Sequence, residues 1–133
     1  MDNEELAQSW IESSAEDFEL AQDLFNIGRY THCLYFGHLG VEKLFKALFA
    51  KLYPENPYAP KIHNLIVLAE KCNIELDDEM YEKLKTINTF NMEARYDVVK
   101  KNFYTLCTKE YTATQFAIIE GVTEWLKEKL INQ

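Results

Sequence analysis

The first 27 residues place apolar or small side chains at intervals of three and four positions, with acidic side chains between them. This period predicts an amphipathic helix over residues 4–27. Gly28 follows at the position where a helix commonly ends on glycine. The inward-facing stripe of this helix consists of Leu6, Trp10, Ser14, Phe18, Ala21 and Phe25.

A second helix is predicted over residues 30–53, and apolar residues cover most of its circumference. At about 1.5 Å per residue this helix spans roughly 36 Å. A helix with so little polar surface must be surrounded by other helices. Gly37 and Gly40 lie in its interior, where glycine costs stability, and they indicate close approach of another helix or another subunit.

Shorter periodic segments occupy the rest of the chain. Three prolines within residues 54–60 predict a loop. Helices are then predicted over residues 62–72, 78–92 and 110–130, with a less regular basic segment over residues 93–109. No alternating β pattern, internal repeat or linker is present. The pattern therefore predicts one all-α domain over residues 1–133, an antiparallel up-and-down bundle of four long helices plus one short helix.

The net charge of −8 is unevenly distributed along the chain. Residues 1–27 hold eight acids and no Lys or Arg, whereas residues 28–63 hold five cations against two acids and residues 93–109 hold four against two. An acidic chain gains little from releasing the counterions of DNA, so generic DNA binding is not expected. If the two basic segments meet, they form a basic face that suits a small anionic ligand, RNA or an acidic partner. Otherwise both are ordinary solvated faces.

Cysteine usage and hydropathy predict the compartment. The three cysteines Cys33, Cys72 and Cys107 are an odd number without CxxC spacing, which predicts reduced, mostly buried thiols. The opening residues are acidic and lack the apolar core of a secretory signal, and no segment reaches the roughly 18 apolar residues of a membrane span. These features predict a cytoplasmic protein that does not contact a membrane.

A polar stripe interrupts the apolar surface of the second helix. Its members follow one another at steps of three and four residues and share one face. They are Tyr35, His38, Glu42 and Lys46. Because the rest of the helix is apolar, its charged side chains either reach solvent through a gap in the bundle or pair with side chains from other segments. His63 and Arg95 are candidate partners. The simpler alternative is a salt bridge between Glu42 and Lys46 on a solvated face, worth about 0.3 kcal/mol.

Metal, cofactor and nucleophile chemistry lack the required patterns. His38 and Glu42 stand four residues apart, but no Glu-x-x-His, His-Glu-x-x-His or Cys/His zinc spacing occurs, nor any phosphate-binding or dinucleotide-binding glycine motif. A pair of Cys33 with His32 or His63 is conceivable, but nothing indicates an activated thiol, and a buried structural cysteine is the simpler interpretation. We therefore expect no metal, no cofactor and no catalytic residue.

An Arg followed by a Tyr at the predicted exit of the fourth helix offers a forked phosphate donor beside an aromatic surface. These residues are Arg95 and Tyr96. The alternative is that Arg95 pairs with a carboxylate such as Glu42 while Tyr96 lies in the core, and the two interpretations are compatible. The predicted phosphate-binding site or subunit seam therefore consists of Glu42, Lys46, His63, Arg95, Tyr96, Tyr35 and His38.

An ordered set of residues across nearly the whole chain resembles the HEPN domain, in particular its prokaryotic stand-alone form. The set comprises Trp10, Ala15, Asp17, Tyr30, Val41-Glu42-Lys43, Lys46-Ala47, Pro60, His63, Leu65, Ala94-Arg95-Tyr96, Phe103-Tyr104 and Cys107-Thr108-Lys109-Glu110-Tyr111. The resemblance implies a compact helical bundle that forms homodimers and serves toxin–antitoxin or defence modules. It also implies a small nucleotidyltransferase, often encoded beside such domains, as a partner.

The chain departs from the pattern of the ribonucleases in that family, which carry an Arg followed, after four to six residues, by a His. Lys100, Lys101 and Asn102 occupy those positions after Arg95, and no His follows anywhere in the chain. Asp97 also stands where the similar branch commonly has a Pro. A metal-independent ribonuclease uses such a His to move or position a proton, so the resemblance here implies a binding domain rather than a nuclease.

Three functions follow from these observations. The leading hypothesis is a non-catalytic, homodimeric module that binds a nucleotide, an RNA phosphate or a nucleotidyltransferase partner. In it Arg95 and Lys46 supply positive charge, and Tyr96 or Tyr35 stacks on a base. The second hypothesis is an atypical metal-independent ribonuclease that uses Arg95 with His63 or with the histidine of the stripe. The third is a purely structural dimerisation module.

Overall fold

The structure is a computed structural model that describes residues 1–92 and 97–133. Over these residues it contains six α-helices and no β-strand, which confirms the predicted all-α class. The helices are α1 (Asn3–Asn26), α2 (Tyr30–Leu52), α3 (Leu65–Lys71), α4 (Asp78–Asn88), α5 (Asp97–Leu106) and α6 (Lys109–Ile131). Three of them, α1, α2 and α6, have 23 or 24 residues, and the other three are shorter.

Side-chain caps set where four of the helices begin. In each case a side-chain oxygen just before the helix accepts a hydrogen bond from a backbone N–H two or three residues later, which satisfies a donor that the helix itself leaves unpaired. The capping residues are Asp2 for α1, Asn64 for α3, Asp77 for α4 and Thr108 for α6.

The tight turn between α1 and α2 depends on Gly28. Its φ of +80° lies in the left-handed region that only glycine enters at little cost. The N–H of Gly28 donates to the carbonyl of Phe25, and the N–H of Arg29 donates to the carbonyl of Leu24. These are the two bonds of a Schellman motif, and they return the chain at once into α2.

Contacts between the helices define an up-and-down arrangement around α2. At one end of the α1–α2 pair Glu4 lies 3.7 Å from Lys51, and at the other end the rings of Phe25 and Tyr30 are 5.6 Å apart, so the two helices are antiparallel. α6 runs parallel to α2, since its first half faces the first half of α2 and its second half faces the second. The start of α4 faces the end of α6. α1, α2, α4 and α6 therefore alternate in direction, as predicted.

The predicted close approach to the glycines of α2 is confirmed, and both neighbours belong to the same chain. A Cβ at Gly37 would lie 2.8 Å from Ile119 of α6, and a Cβ at Gly40 would lie 2.6 Å from the Phe18 ring of α1. The two glycines thus allow α1 and α6 to pack closely against α2. No second subunit is needed to explain them.

The structure differs from the sequence-based expectation at two places. The basic segment expected to be less regular contains α5, an amphipathic helix of which only Phe103 is buried. α3 begins at Leu65 rather than near residue 62, because the Asn64 side chain caps it by accepting from the N–H groups of Ile66 and Val67. Three of the described helices are therefore short, whereas one short helix was predicted: α4 ends at Asn88 rather than near residue 92, and α5 was not predicted as a helix.

Two further expectations concern the thiols and the membrane. Cys33, Cys72 and Cys107 are all free and buried, as predicted. None of the helices over residues 1–92 and 97–133 combines the length and the apolar character needed to cross a bilayer.

Candidate functional site

The polar stripe of α2 forms part of a buried network, which we call the polar cluster and define as His38, Glu42, Lys46 and His63. Glu42 lies at its centre. One carboxylate oxygen is 2.9 Å from Nδ1 of His63, and the other is 3.2 Å from Nζ of Lys46. The Glu42 side chain is 5% exposed and that of Lys46 is 10% exposed. His63, one of the two candidate partners for the stripe, therefore contacts Glu42.

Local sequence explains why these side chains meet. Lys46 follows Glu42 by four residues, which places it one turn further along the same face of α2. His63 immediately precedes the Asn64 cap of α3, so the start of that helix holds it opposite α2. The buried ring of His38 lies a turn earlier and donates from Nε2 to the carbonyl of His63, 3.0 Å away. The polar cluster thus ties the chain before α3 to the central helix.

The charge of Lys46 is compensated on two sides. Its ammonium is paired with Glu42 and also lies 5.3 Å from the centre of the Trp10 ring of α1, a cation–π distance. Burying an ammonium without such partners is costly, which is why both contacts matter for the fold. The arrangement leaves Lys46 already neutralised, so its predicted role as a phosphate ligand gains no support from the geometry and stays a prediction.

His63 is the solvent-facing member of the polar cluster. Its side chain is 53% exposed, although Nδ1 is held by the buried Glu42 carboxylate. A carboxylate that binds one ring nitrogen fixes the orientation of an imidazole and leaves the other nitrogen available for proton transfer. His38 has no such freedom, because it is fully buried and its Nε2 already donates to a backbone carbonyl.

The remaining predicted site residues are placed differently. Tyr35 is half-buried and makes an edge-on contact with Phe36, with ring centres 5.4 Å apart. Arg95 and Tyr96 lie outside the described residues, so their predicted ligand role and their pairing with Glu42 are untested.

A second group of polar side chains lies around the start of α2 and along α5. We call it the basic surface and define it as Arg29, His32, Lys100, Lys101 and Tyr104. All five are exposed, Tyr104 to 71%. Lys100 and Lys101 precede Tyr104 by four and three residues, so the three positions are neighbours on one side of α5. Tyr104, Arg29 and His32 line a common cavity of about 210 Å³.

The charges of the basic surface are not neutralised within the part of the chain that the structure describes. There, no carboxylate lies within 4.0 Å of the cationic groups of Arg29, Lys100 or Lys101. The first turn of α2 carries no acidic residue and its Arg29 cap makes no side-chain hydrogen bond. The first N–H groups of a helix carry partial positive charge, so the backbone adds to the potential of the side chains.

Sequence reasoning identified the basic segment of residues 93–109 but not its arrangement. The spacings of four and three residues from Lys100 and Lys101 to Tyr104 indicate a shared side only if the segment is a helix, and the segment was not predicted to be one. The proximity of Tyr104 to Arg29 has no signal in the sequence, because 74 intervening positions separate the two residues.

The buried thiols Cys33 and Cys72 have raised pKa values and therefore low reactivity. Burial, with a smaller contribution from the nearby Cys107, raises the pKa of the Cys33 thiol to about 12. Burial likewise raises the pKa of Cys72 to about 12, and its Sγ lies 3.5 Å from the backbone carbonyl of Phe45. A thiol with so high a pKa is a poor nucleophile at neutral pH. Among the described residues, no group of three or more His, Cys, Asp or Glu side chains is arranged to hold a metal ion.

Comparison with known proteins gives one match. The model of the HEPN domain family matches residues 7–130, nearly the whole chain. Neither the curated proteins nor the solved structures include a significant match to this chain.

Proposed function

The chain belongs to the HEPN domain family, and we propose that it is a non-catalytic member that binds the phosphates and bases of single-stranded RNA through the basic surface. In this proposal Lys100, Lys101 and Arg29 contact phosphates, and Tyr104 stacks on a base. The polar cluster holds α2 and the start of α3 in place and does not itself contact the ligand.

One observation carries the proposal: the exposed Tyr104 lines a cavity with Arg29 and follows Lys100 and Lys101 on α5, and none of these three cations has a carboxylate partner among the described residues. The protein as a whole carries a net charge of −8. An acidic chain is not attracted to RNA as a whole, so a local concentration of positive charge is needed to hold a phosphate chain. An exposed Tyr one turn after two lysines combines the two elements of sequence-tolerant single-strand binding, a cationic track and a stacking platform.

The test is fluorescence anisotropy with a labelled single-stranded RNA of about 12 nucleotides, in the range of single-strand site sizes. The double variant Lys100→Ala with Lys101→Ala is expected to bind on the order of tenfold more weakly at moderate salt. It should also reduce the slope of log K against log salt by about 1.4, as expected when two phosphate contacts are lost. Tyr104→Ala is expected to weaken binding about fivefold with an unchanged slope, because stacking is not a charge interaction.

The matched control is Lys71→Ala with Lys85→Ala, two exposed lysines on α3 and α4 that make no ion pair with the described residues. It removes the same charge as the α5 double variant. Equal weakening by both double variants would contradict the proposal, since it would mean that RNA responds only to net charge. ATP in place of RNA distinguishes a mononucleotide ligand from a chain.

A second candidate, a metal-independent ribonuclease, is favoured by one specific observation. The Glu42 carboxylate orients the half-exposed imidazole of His63, an arrangement suited to proton transfer. The test is incubation of RNA with the protein in EDTA. Cleavage that is lost in both Arg95→Ala and His63→Ala, but not in Lys61→Ala, would support this candidate. Absence of cleavage in the parent protein would eliminate it.

The wider setting stays a set of predictions from the family resemblance. These are a prokaryotic toxin–antitoxin or defence module, a cytoplasmic location, a homodimer and a small nucleotidyltransferase partner. Gly37 and Gly40 no longer favour a dimer, because Ile119 and Phe18 of the same chain account for them. Sedimentation at micromolar concentration tests the dimer, and co-purification with a neighbouring nucleotidyltransferase tests the partner.

A further inference from the structure

A groove runs between α1 and α6, and no residue of the polar cluster or of the basic surface lines it. The two helices each pack against α2, and their own backbones approach each other at few positions. The space between them has a volume of about 350 Å³ and is open to solvent. We call it the α1–α6 groove; its lining includes Phe18, Glu19, Gln22, Phe116, Glu120 and Thr123.

The apolar part of the groove follows from the packing of α2. Because Gly40 has no side chain, the Phe18 ring of α1 lies directly against α2. Phe116 of α6, which is 8% exposed, supplies a second aromatic ring to the same groove. The two rings give the groove an apolar floor that accepts side chains of a partner.

The walls of the groove are acidic on both sides. Glu19 on α1 and Glu120 on α6 are exposed, and within residues 1–92 and 97–133 neither forms an ion pair. Glu124 and Lys127, further along α6, also line the groove and lie 3.8 Å apart, so its acids outnumber a single cation three to one. Residues 1–27 hold eight acids and no Lys or Arg, so α1 adds further negative charge along its length. A groove of this kind repels nucleic acid and attracts a cationic partner.

We infer that the α1–α6 groove docks an amphipathic helix of a partner protein, one with an apolar stripe flanked on both sides by Lys or Arg. A helix laid between two helices places residues i, i+3, i+4 and i+7 onto the floor. Its flanking cations then face Glu19 on one wall and Glu120 on the other. The complementary charges set the orientation and the rate of association, and the apolar floor provides the contact area. This inference does not depend on RNA binding.

The probe is a fluorescein-labelled peptide of about 16 residues, long enough to form a helix on a surface. It carries Leu at the four stripe positions and Lys on both flanks, and a second peptide has Glu in place of every Lys. Anisotropy titration is expected to show saturable binding of the Lys peptide and none of the Glu peptide. Backbone NMR shifts on adding the Lys peptide are expected to cluster around Phe18, Phe116 and Thr123.

Two groove variants and one matched control separate docking from general attraction. Glu120→Lys with Glu124→Lys is expected to weaken binding of the Lys peptide on the order of tenfold. Gln22→Trp, at an exposed position on the rim, is expected to do the same by filling the groove. The control Glu55→Lys with Glu70→Lys changes the net charge equally at exposed positions elsewhere, and is expected to change affinity less than about twofold. Circular dichroism melts check that every variant keeps its fold.

Three results would overturn the inference. The first is no saturable binding of the Lys peptide, and the second is equal weakening by the groove pair and by the control pair. The third is a concentration-dependent dimer of the protein alone that Gln22→Trp abolishes, which would mean that a second copy of the chain occupies the groove.

Discussion

The polar cluster and the basic surface contain the same kinds of side chain in opposite circumstances. In the polar cluster Glu42 and Lys46 are buried and lie 3.2 Å apart. On the basic surface Lys100 and Lys101 are exposed and have no carboxylate partner among the described residues. A buried charge must be compensated because desolvation costs several kcal/mol, whereas an exposed charge need not be. The difference assigns the buried charges to the fold and leaves the exposed ones available for a ligand.

The largest expected effect of burial is on the reactivity of the thiols. With pKa values raised from 9.0 to about 12, Cys33 and Cys72 hold roughly a thousandfold less thiolate at pH 8 in the folded protein than when unfolded. Iodoacetamide labelling followed by mass spectrometry is expected to modify them at a correspondingly lower rate in buffer than in urea. Similar labelling rates in buffer and in urea would mean that burial does not suppress ionisation of the two thiols.

The same pKa shifts predict how stability depends on pH. The unfolded thiols lose their protons near pH 9, while the folded ones keep theirs up to about pH 12. The thiols therefore leave the free energy of unfolding unchanged below about pH 8 and lower it as the pH rises from about 9 to about 12. The variant Cys33→Ala with Cys72→Ala is expected to show a weaker alkaline decline in chemical denaturation.

The next largest effect is expected from breaking the buried pair. Glu42→Gln leaves Lys46 buried without its counter-charge, and we expect the free energy of unfolding to fall by about 3 kcal/mol in urea denaturation. The double variant Glu42→Gln with Lys46→Met removes the stranded charge and is expected to recover part of that loss. If the free energy of unfolding of the single variant falls by less than about 0.5 kcal/mol, Lys46 is solvated. The lysine of the polar cluster would then resemble the lysines of the basic surface.

A smaller effect is expected from the exposed edge of the polar cluster. His63→Ala removes one hydrogen bond to Glu42 but leaves the pair with Lys46 intact, so we expect a loss of about 1 kcal/mol. Lys61→Ala, two residues earlier on the exposed loop, serves as the control and is expected to be neutral. A loss as large as that of Glu42→Gln would show that His63, not Lys46, is the essential partner.

The smallest effect on stability is expected from the basic surface. Lys100→Ala with Lys101→Ala removes two exposed side chains with no ion-pair partner among the described residues, and we expect a change within about 0.5 kcal/mol. The same variant is expected to lose RNA affinity, which separates binding from folding within one protein. Marked destabilisation would place the α5 lysines in the same class as the polar cluster.

Much of the fold was predictable from local patterns. The stripe from Leu6 to Phe25, the apolar circumference of α2 and the glycine between them gave the first two helices within a residue or two. Residues 97–106 were predicted to be less regular, although Val99, Phe103 and Leu106 recur at helical spacing. In the structure most apolar side chains of α5 are exposed and only Phe103 is buried. His63 was one of two candidate partners that the sequence offered for the charged stripe, and the structure places it against Glu42. The basic surface as a unit was not predicted.

The sequence by itself determined the all-α class, the central position of α2 and the need for partners along its polar stripe. These follow from the spacing of side chains along one helix, which is local information. Only the tertiary structure decided which partners they are. It paired Glu42 with His63, placed Tyr104 beside Arg29 and opened an acidic groove between α1 and α6. Such contacts depend on how helices distant in sequence pack together, and the period of no single helix contains that information.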